Sequence, residues 1–139
     1  MNRMPLAEKQ RRIIARYALI EDRHERLAAI VARGQRWPDV AEAERTEARF
    51  VRGCTTPVWL AGVVEGGSCH FRVAAGSSVL KGLASLFAEL YEGEPAAAVA
   101  TFEPALLEGL GLDQHISPTR LNGLAHIRTA IRDFATAAC

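Results

Sequence analysis

Apolar positions recur along this chain in two rhythms, and the change of rhythm divides it into three stretches. In the first, Ile13, Tyr17 and Ile20 fall at helical spacing. A break near Glu21 follows. Asp22 to Glu25 then reads as a capping box, with Asp22 accepting from backbone N–H groups of the new first turn and Glu25 reaching back to the cap. Leu27, Ile30 and Val31 form the next apolar stripe, and Gly34 is the expected stop. Pro38 biases Trp37 away from helical geometry, so the segment 35–40 is expected to be extended.

In the middle stretch the period drops to two. Phe50 and Val51 can end a first strand. The run 57–64 is densely apolar, and Gly66 and Gly67 supply a turn. Cys69, Phe71 and Val73 then alternate with His70, Arg72 and Ala74, the pattern of a half-buried strand. The economical reading is a short, three-stranded antiparallel meander whose first bend carries Cys54. After Ser77 the helical period returns in Val79, Leu83, Leu86, Phe87 and Leu90, and Gly93 ends the run. Glu94-Pro95 and Glu103-Pro104 read as helix starts with proline in the first turn. Leu106, Leu107 and Leu110 precede Gly111, which predicts a short helix. Ser117 caps the last helix with Pro118 at its first position, and Leu124, Ile127, Ile131 and Phe134 line one face. Helices, then a short sheet, then helices give an α+β class.

The length of 139 residues suits a single domain spanning 1–139 with one core. Seventeen basic and sixteen acidic residues nearly cancel, so no global field draws nucleic acid or an anionic membrane. No stretch approaches the roughly 20 apolar residues of a membrane span. The opening "MNRMPLAEKQRR" lacks an apolar region behind its charges, so a secretory signal is not expected. A cytoplasmic setting, where thiols stay reduced, is the expectation.

The candidate chemistry centres on sulfur. The three cysteines, Cys54, Cys69 and Cys139, form no C-x-x-C pair, and the four histidines form no H-E-x-x-H. No metal site is therefore expected. Cys69 shares a face with Phe71 and Val73 and reads as core. Cys139 reads as an exposed, mobile thiol. Cys54 is different, because it lies in "VRGCTTPVWL" where the chain must bend. Gly53 admits backbone geometry that a side chain resists. Thr55 and Thr56 offer local hydroxyl bonds that favour a turn, and Pro57 marks the first position of a strand. Reactivity at such a thiol depends on how much thiolate exists, hence on nearby positive charge. Arg49 and Arg52 are near in sequence. A cysteine at a strand end also serves as a small apolar filler, and these residues alone leave both roles open.

Four motifs carry a resemblance. "RFVRGCTTPVW" resembles the segment around the reactive thiol of the SufE family of cysteine desulfuration proteins, N-x-[VI]-x-G-C-x-S-x-V-W, through Val51, Gly53, Cys54, Val58 and Trp59. "GQRWP", Gly34 to Pro38, is similar to the family's G-x-x-L-P, and "VLKGL", Val79 to Leu83, to its K-G-L stretch. "HISPTRLNGL" follows H-L-[ST]-P-S-R-x-x-G-L through His115, Ser117, Pro118, Arg120, Gly123 and Leu124. The correspondence runs from about Ile13 to Phe134. Arg49 departs from the usual asparagine, and Thr56 keeps a hydroxyl where serine is usual. The family's D-S-D-A is here "AAGS", without carboxylates at Ala74 and Gly76.

The resemblance implies a SufE/IscU-like fold, in which N- and C-terminal helices pack on a short three-stranded antiparallel sheet. It implies a sulfur acceptor, not an enzyme that turns over alone. Such a protein takes persulfide sulfur onto Cys54 from a PLP-dependent cysteine desulfurase of SufS or CsdA type, stimulates that enzyme, and delivers to a downstream Fe-S scaffold. The PLP belongs to the partner, and no cofactor of its own is implied. Gly53, Thr55, Thr56 and Arg120 are the expected loop-supporting or partner-binding residues. Lys81, Trp59 and His115 are assigned mainly to structure. Two other functions stand beside this one. The chain could regulate a desulfurase without taking sulfur, an option suggested by the altered "AAGS", or it could be an Fe-S assembly scaffold. The second is disfavoured because clusters call for about four thiolates.

Overall fold

The computed structural model describes residues 4–139. Residues 1–3, part of the segment read above for a secretory signal, lie outside the described residues. The elements in order are α1 (Leu6–Ala18), α2 (Arg23–Gly34), β1 (Val58–Glu65), β2 (Ser68–Ala75), α3 (Ser78–Tyr91), α4 (Ala96–Thr101), α5 (Leu106–Gly109) and α6 (Pro118–Ala138). Two single 3₁₀ turns, Glu42–Glu44 and Glu47–Arg49, precede β1. Among the described residues no helix is long and apolar enough to cross a membrane.

The α3 helix is the centre of the molecule. Its residues are apolar nearly all round, as a fully enclosed helix requires, and Leu83, Ala84, Ala88, Leu90 and Tyr91 have no exposure at all. One side of α3 rests on β2, and α1, α2 and α6 cover the others. The polar groups that this burial traps are satisfied. Ser85 Oγ donates to the Lys81 carbonyl at 2.7 Å, and Lys81 Nζ reaches Asp39 Oδ2 at 3.4 Å.

Gly34 was the expected stop of α2. It is instead the last residue of the helix, followed by Gln35 as C-cap, and it lacks the left-handed conformation of a glycine stop. Its smallness serves packing. A Cβ at Gly34 would collide with the Cα of Gly82, and one at Gly82 would lie 2.7 Å from the Cα of Val31. The α2 and α3 helices therefore touch backbone to backbone. The Asp22 half of the predicted capping box is present, with Oδ1 accepting from His24 and Glu25 N–H groups at 2.7 and 3.2 Å. The segment after α2 is not extended throughout. Arg36 and Trp37 donate to the Arg33 and Gly34 carbonyls in a turn that continues the helix; Pro38 restricts only Trp37, whose N–H closes that turn.

The sheet is a two-stranded antiparallel ribbon, paired from Val58↔Ala75 to Glu65↔Ser68. Gly66 and Gly67, at φ 57° and 80°, make the tight turn between the strands. Cys69, Phe71 and Val73 face inward as their alternation required. On the opposite face Ala74 joins Val40 and Ala61 in a small second apolar cluster, with Trp59 against it. The predicted third strand is reduced to one bridge, Phe50↔Trp59, and a bond from Val51 N–H to the Val58 carbonyl. The reason is local. A 3₁₀ turn ends at Arg49 and the bend at Gly53 follows at once, so too little extended chain remains to build a ladder.

Two further proline readings shift. Pro95 is the N-cap of α4, and Pro104 lies ahead of the α5 cap at Ala105. Ser117 and Pro118 stand where the sequence put them, with Ser117 Oγ accepting from Arg120 N–H.

Candidate functional site

Gly53 adopts φ 93°, a conformation that side chains resist. The chain reverses there and presents Cys54 toward the first turns of α6. Pro57 then starts the approach to β1, and its carbonyl accepts from Gly76 N–H at 2.8 Å. The cysteine loop is thereby tied to the segment that leads into α3.

The Cys54 thiol is half-buried and packs against the main core. Its Sγ donates to the carbonyl of Gly123 on α6 at 3.5 Å. Filler and presented thiol, left open by the sequence, are in this sense one arrangement. The sulfur lies on the core edge but also borders a cavity of about 350 Å³, lined by Cys54, Thr55, Thr56, Ser77, Leu80, Ser117, Thr119, Arg120 and Gly123. Two helices begin at this cavity. Ser77 caps α3, accepting from Leu80 N–H at 3.3 Å, and Ser117 caps α6. Helix N-termini carry partial positive charge, so a polar and mildly electropositive hollow lies beside the sulfur.

Burial pushes the Cys54 thiol above its ordinary pKa. At neutral pH the resting group is therefore the neutral thiol, able to donate to Gly123. The two arginines considered from sequence are engaged elsewhere. Arg49 bonds the Glu44 carbonyl at 3.0 Å, and Arg52 pairs closely with Glu47.

Of the site residues expected from sequence, Cys54, Thr55, Thr56 and Arg120 meet at this one cavity, and Gly53 makes the bend that brings the loop there. Arg120 is exposed at its rim. His115 lies elsewhere, bonded closely to Arg23 and edge-on to His24. Trp59 meets Phe50 edge to face at 5.6 Å, and Arg45 lies over its indole at 5.4 Å. Cys69 is wholly buried and Cys139 is exposed. Among the described residues no three His, Cys, Asp or Glu side chains are grouped to hold a metal.

The sequence reading missed Ser77, Leu80, Thr119 and His126. The first three line the cavity because two helix starts converge there, a relation between segments about 40 positions apart. The ring of His126 lies directly against Gly53, so that a Cβ at residue 53 would fall 2.5 Å from its Nε2. A signal was available: His126 follows Gly123 by three positions in a helix, which places both on one face.

The departures from the motif pattern also have structural settings. Ala74 is buried in the small cluster with Val40 and Ala61, where only a small apolar group fits without cost. Gly76 abuts Pro57, 3.1 Å from the position of a Cβ to the proline Cδ.

Comparison with known proteins places this geometry. The sulfur acceptor protein CsdE of Escherichia coli is 30% identical over 127 residues, covering 90% of this chain and 84% of CsdE. An uncharacterized SufE-like protein of Rhizobium etli is 28% identical over 128 residues, covering 88% of this chain and 86% of the relative. The fold is shared with the solution structure of a hypothetical protein from Thermus thermophilus, at a TM-score of 0.77, 23% identity, and coverage of 94% and 95% of the two chains. The SufE family, described as an Fe-S metabolism associated domain, matches residues 11–135. With the motif cysteine on its bend and the family match spanning nearly the whole chain, this protein belongs to the SufE family.

Proposed function

We propose that the protein is a sulfur acceptor that takes sulfane sulfur onto Cys54 from a PLP-dependent cysteine desulfurase and stimulates that enzyme in iron–sulfur cluster assembly. The observation that carries this reading is the placement of Cys54: one thiol on a glycine bend, bordering a polar cavity formed by two helix starts. The likeness to a protein named as a sulfur acceptor supports it.

The chemistry balances without an outside oxidant. Cys54, as thiolate, attacks the terminal sulfur of the desulfurase persulfide. A new S–S bond forms at Cys54 Sγ, the old S–S bond breaks, and the desulfurase cysteine leaves as thiolate and takes up the proton that Cys54 lost. This is thiol–disulfide exchange with one sulfur moved, so its rate follows thiolate fraction and access. Both are low in the resting loop, where the thiol is half-buried and its pKa raised. Docking must therefore lift the loop. The thiol's own bond to Gly123 is a weak S–H donor contact, worth about 1 kcal/mol at most, so this bond by itself resists the motion little. On return, the cavity has room for one added sulfur atom, and its two helix ends favour the anionic form of a persulfide. Arg120 at the rim contributes positive charge to the same place or to the docking surface. The PLP and the downstream Fe-S scaffold belong to partners.

Intact mass spectrometry after incubation with a desulfurase, cysteine and PLP tests the reading. The expected result is a reductant-sensitive gain of one sulfur atom, mapped to Cys54. If desulfurase activity rises while no sulfur reaches Cys54, the protein is a regulator and the acceptor reading fails.

A further inference from the structure

We infer that His126 is the positioning residue that holds the Cys54 loop down on α6, so that a desulfurase must lift the backbone off this ring to reach the sulfur. The inference deepens the acceptor reading and rests on it for its purpose, though not for its test. The geometry has two parts. Cys54 Sγ is bonded to the Gly123 carbonyl at 3.5 Å. One helical turn further along α6, the His126 ring fills the space beside Gly53, with Cδ2, Nε2 and Cε1 at 2.5, 2.5 and 2.8 Å from where a Cβ would stand. The loop is thus clasped at two adjacent points on one helix face. The point at Gly123 is weak, and a Cβ there would meet Sγ at an ordinary 3.5 Å, so the helix does not grip the sulfur sterically. At His126, three ring atoms occupy the space that any side chain at residue 53 would need, so the bare glycine backbone lies directly beside the ring. It acts on the one residue whose positive φ sets the direction of the thiol. Neither Arg49 nor Arg52, the other large side chains flanking the loop, is free to take this place.

The test is the rate of Cys54 alkylation by iodoacetamide in the free protein, read by peptide mapping, with exposed Cys139 as internal reference. His126→Ala removes the ring and is expected to label Cys54 about fivefold faster. His126→Phe, which refills the space without a basic nitrogen, is expected to return the rate to near that of the parent. Gly53→Ala forces the loop off the ring from the other side and is expected to label faster as well. Adding His126→Ala to Gly53→Ala makes room for the new methyl, so the combined effect is expected to fall short of the product of the two. Parental Cys54 labelling in both single alanine variants overturns the inference. So does equal acceleration by the Ala and Phe variants at His126. None of these measurements involves a desulfurase. Faster labelling in His126→Ala, together with no sulfur gained by the parent protein, therefore keeps the latch and rejects the acceptor reading.

Discussion

Cys54 and Gly123, 69 positions apart, are joined by a bond from the thiol to a helix carbonyl at 3.5 Å. The carbonyl belongs to the second turn of α6, the helix whose cap, Ser117, stands on the same cavity. The bond uses the thiol as a proton donor, so it exists only in the resting, neutral state. Ionisation, or a second sulfur on Sγ, removes the donor. Of the two contacts that hold the loop on α6, this weaker one therefore depends on the protonation of the atom the loop carries.

Replacing Cys54 by serine separates the proposed roles. A sulfur acceptor loses uptake altogether, and with it its stimulation of a desulfurase, since a hydroxyl at neutral pH does not attack a persulfide. The residue is only half-buried, so thermal stability is expected to move by no more than roughly 0.5 kcal/mol. Coupled desulfurase assays beside a melting curve check both halves. Undiminished stimulation would mean that the chain regulates by binding alone.

The pH dependence of the free thiol follows from its burial. Burial pushes the Cys54 thiol above its ordinary range, so at pH 7 it is almost entirely protonated. Alkylation at Cys54 is expected to climb about tenfold per pH unit through the neutral range and to level off only at a higher pH than a model thiol does. The stability linkage has a definite sign. The denatured chain ionises first as pH rises, so the small contribution of this group is complete below the unfolded pKa and is lost toward the folded one. A pH series of labelling rates, mapped to Cys54, measures it.

Ala74→Asp restores a carboxylate that the family pattern carries and this chain lacks. Here the position is buried with Val40 and Ala61, and an unpaired carboxylate there is expected to cost at least about 2 kcal/mol. The melting temperature should fall by roughly 6–10 °C at neutral pH, and part of the loss should return on acidification as the group takes up a proton. An unchanged melting point would mean that the side chain finds water or a cation.

Gly82→Ala probes the α2–α3 contact. The new methyl would lie 2.7 Å from the Val31 Cα, and overpacking of this kind costs about 1–3 kcal/mol. Alanine is otherwise the better helix former by about 1 kcal/mol, so a net loss in a denaturant titration isolates the clash.

The sequence made the elements and the chemistry of this fold legible where the information is local. The caps at Asp22 and Ser117, the alternation from Cys69 to Val73, and the bend at Gly53 each follow from a few neighbouring residues. What it misread depended on contacts between segments. Gly34 resembled a stop because a glycine at a helix end usually is one, and only its crossing with Gly82 reveals the other use. The third strand was cut to a bridge by the turn at Glu47–Arg49, whose composition carries no strong signal. At the site, the motif located Cys54 and Arg120. The enclosing Ser77 and the ring of His126 came from tertiary placement that spacing along a single helix hints at and does not fix.

The close approach of Gly34 and Gly82 sets which part of this protein can move. With glycine at both Gly34 and Gly82, α2 and α3 pack backbone to backbone close to the Ser77 end of α3, and packing that close leaves little room for α3 to slide. Motion at the sulfur then falls to the short span from Gly53 to Pro57, swinging against an immobile frame. The movable span is five residues long, and the frame behind it is closely packed.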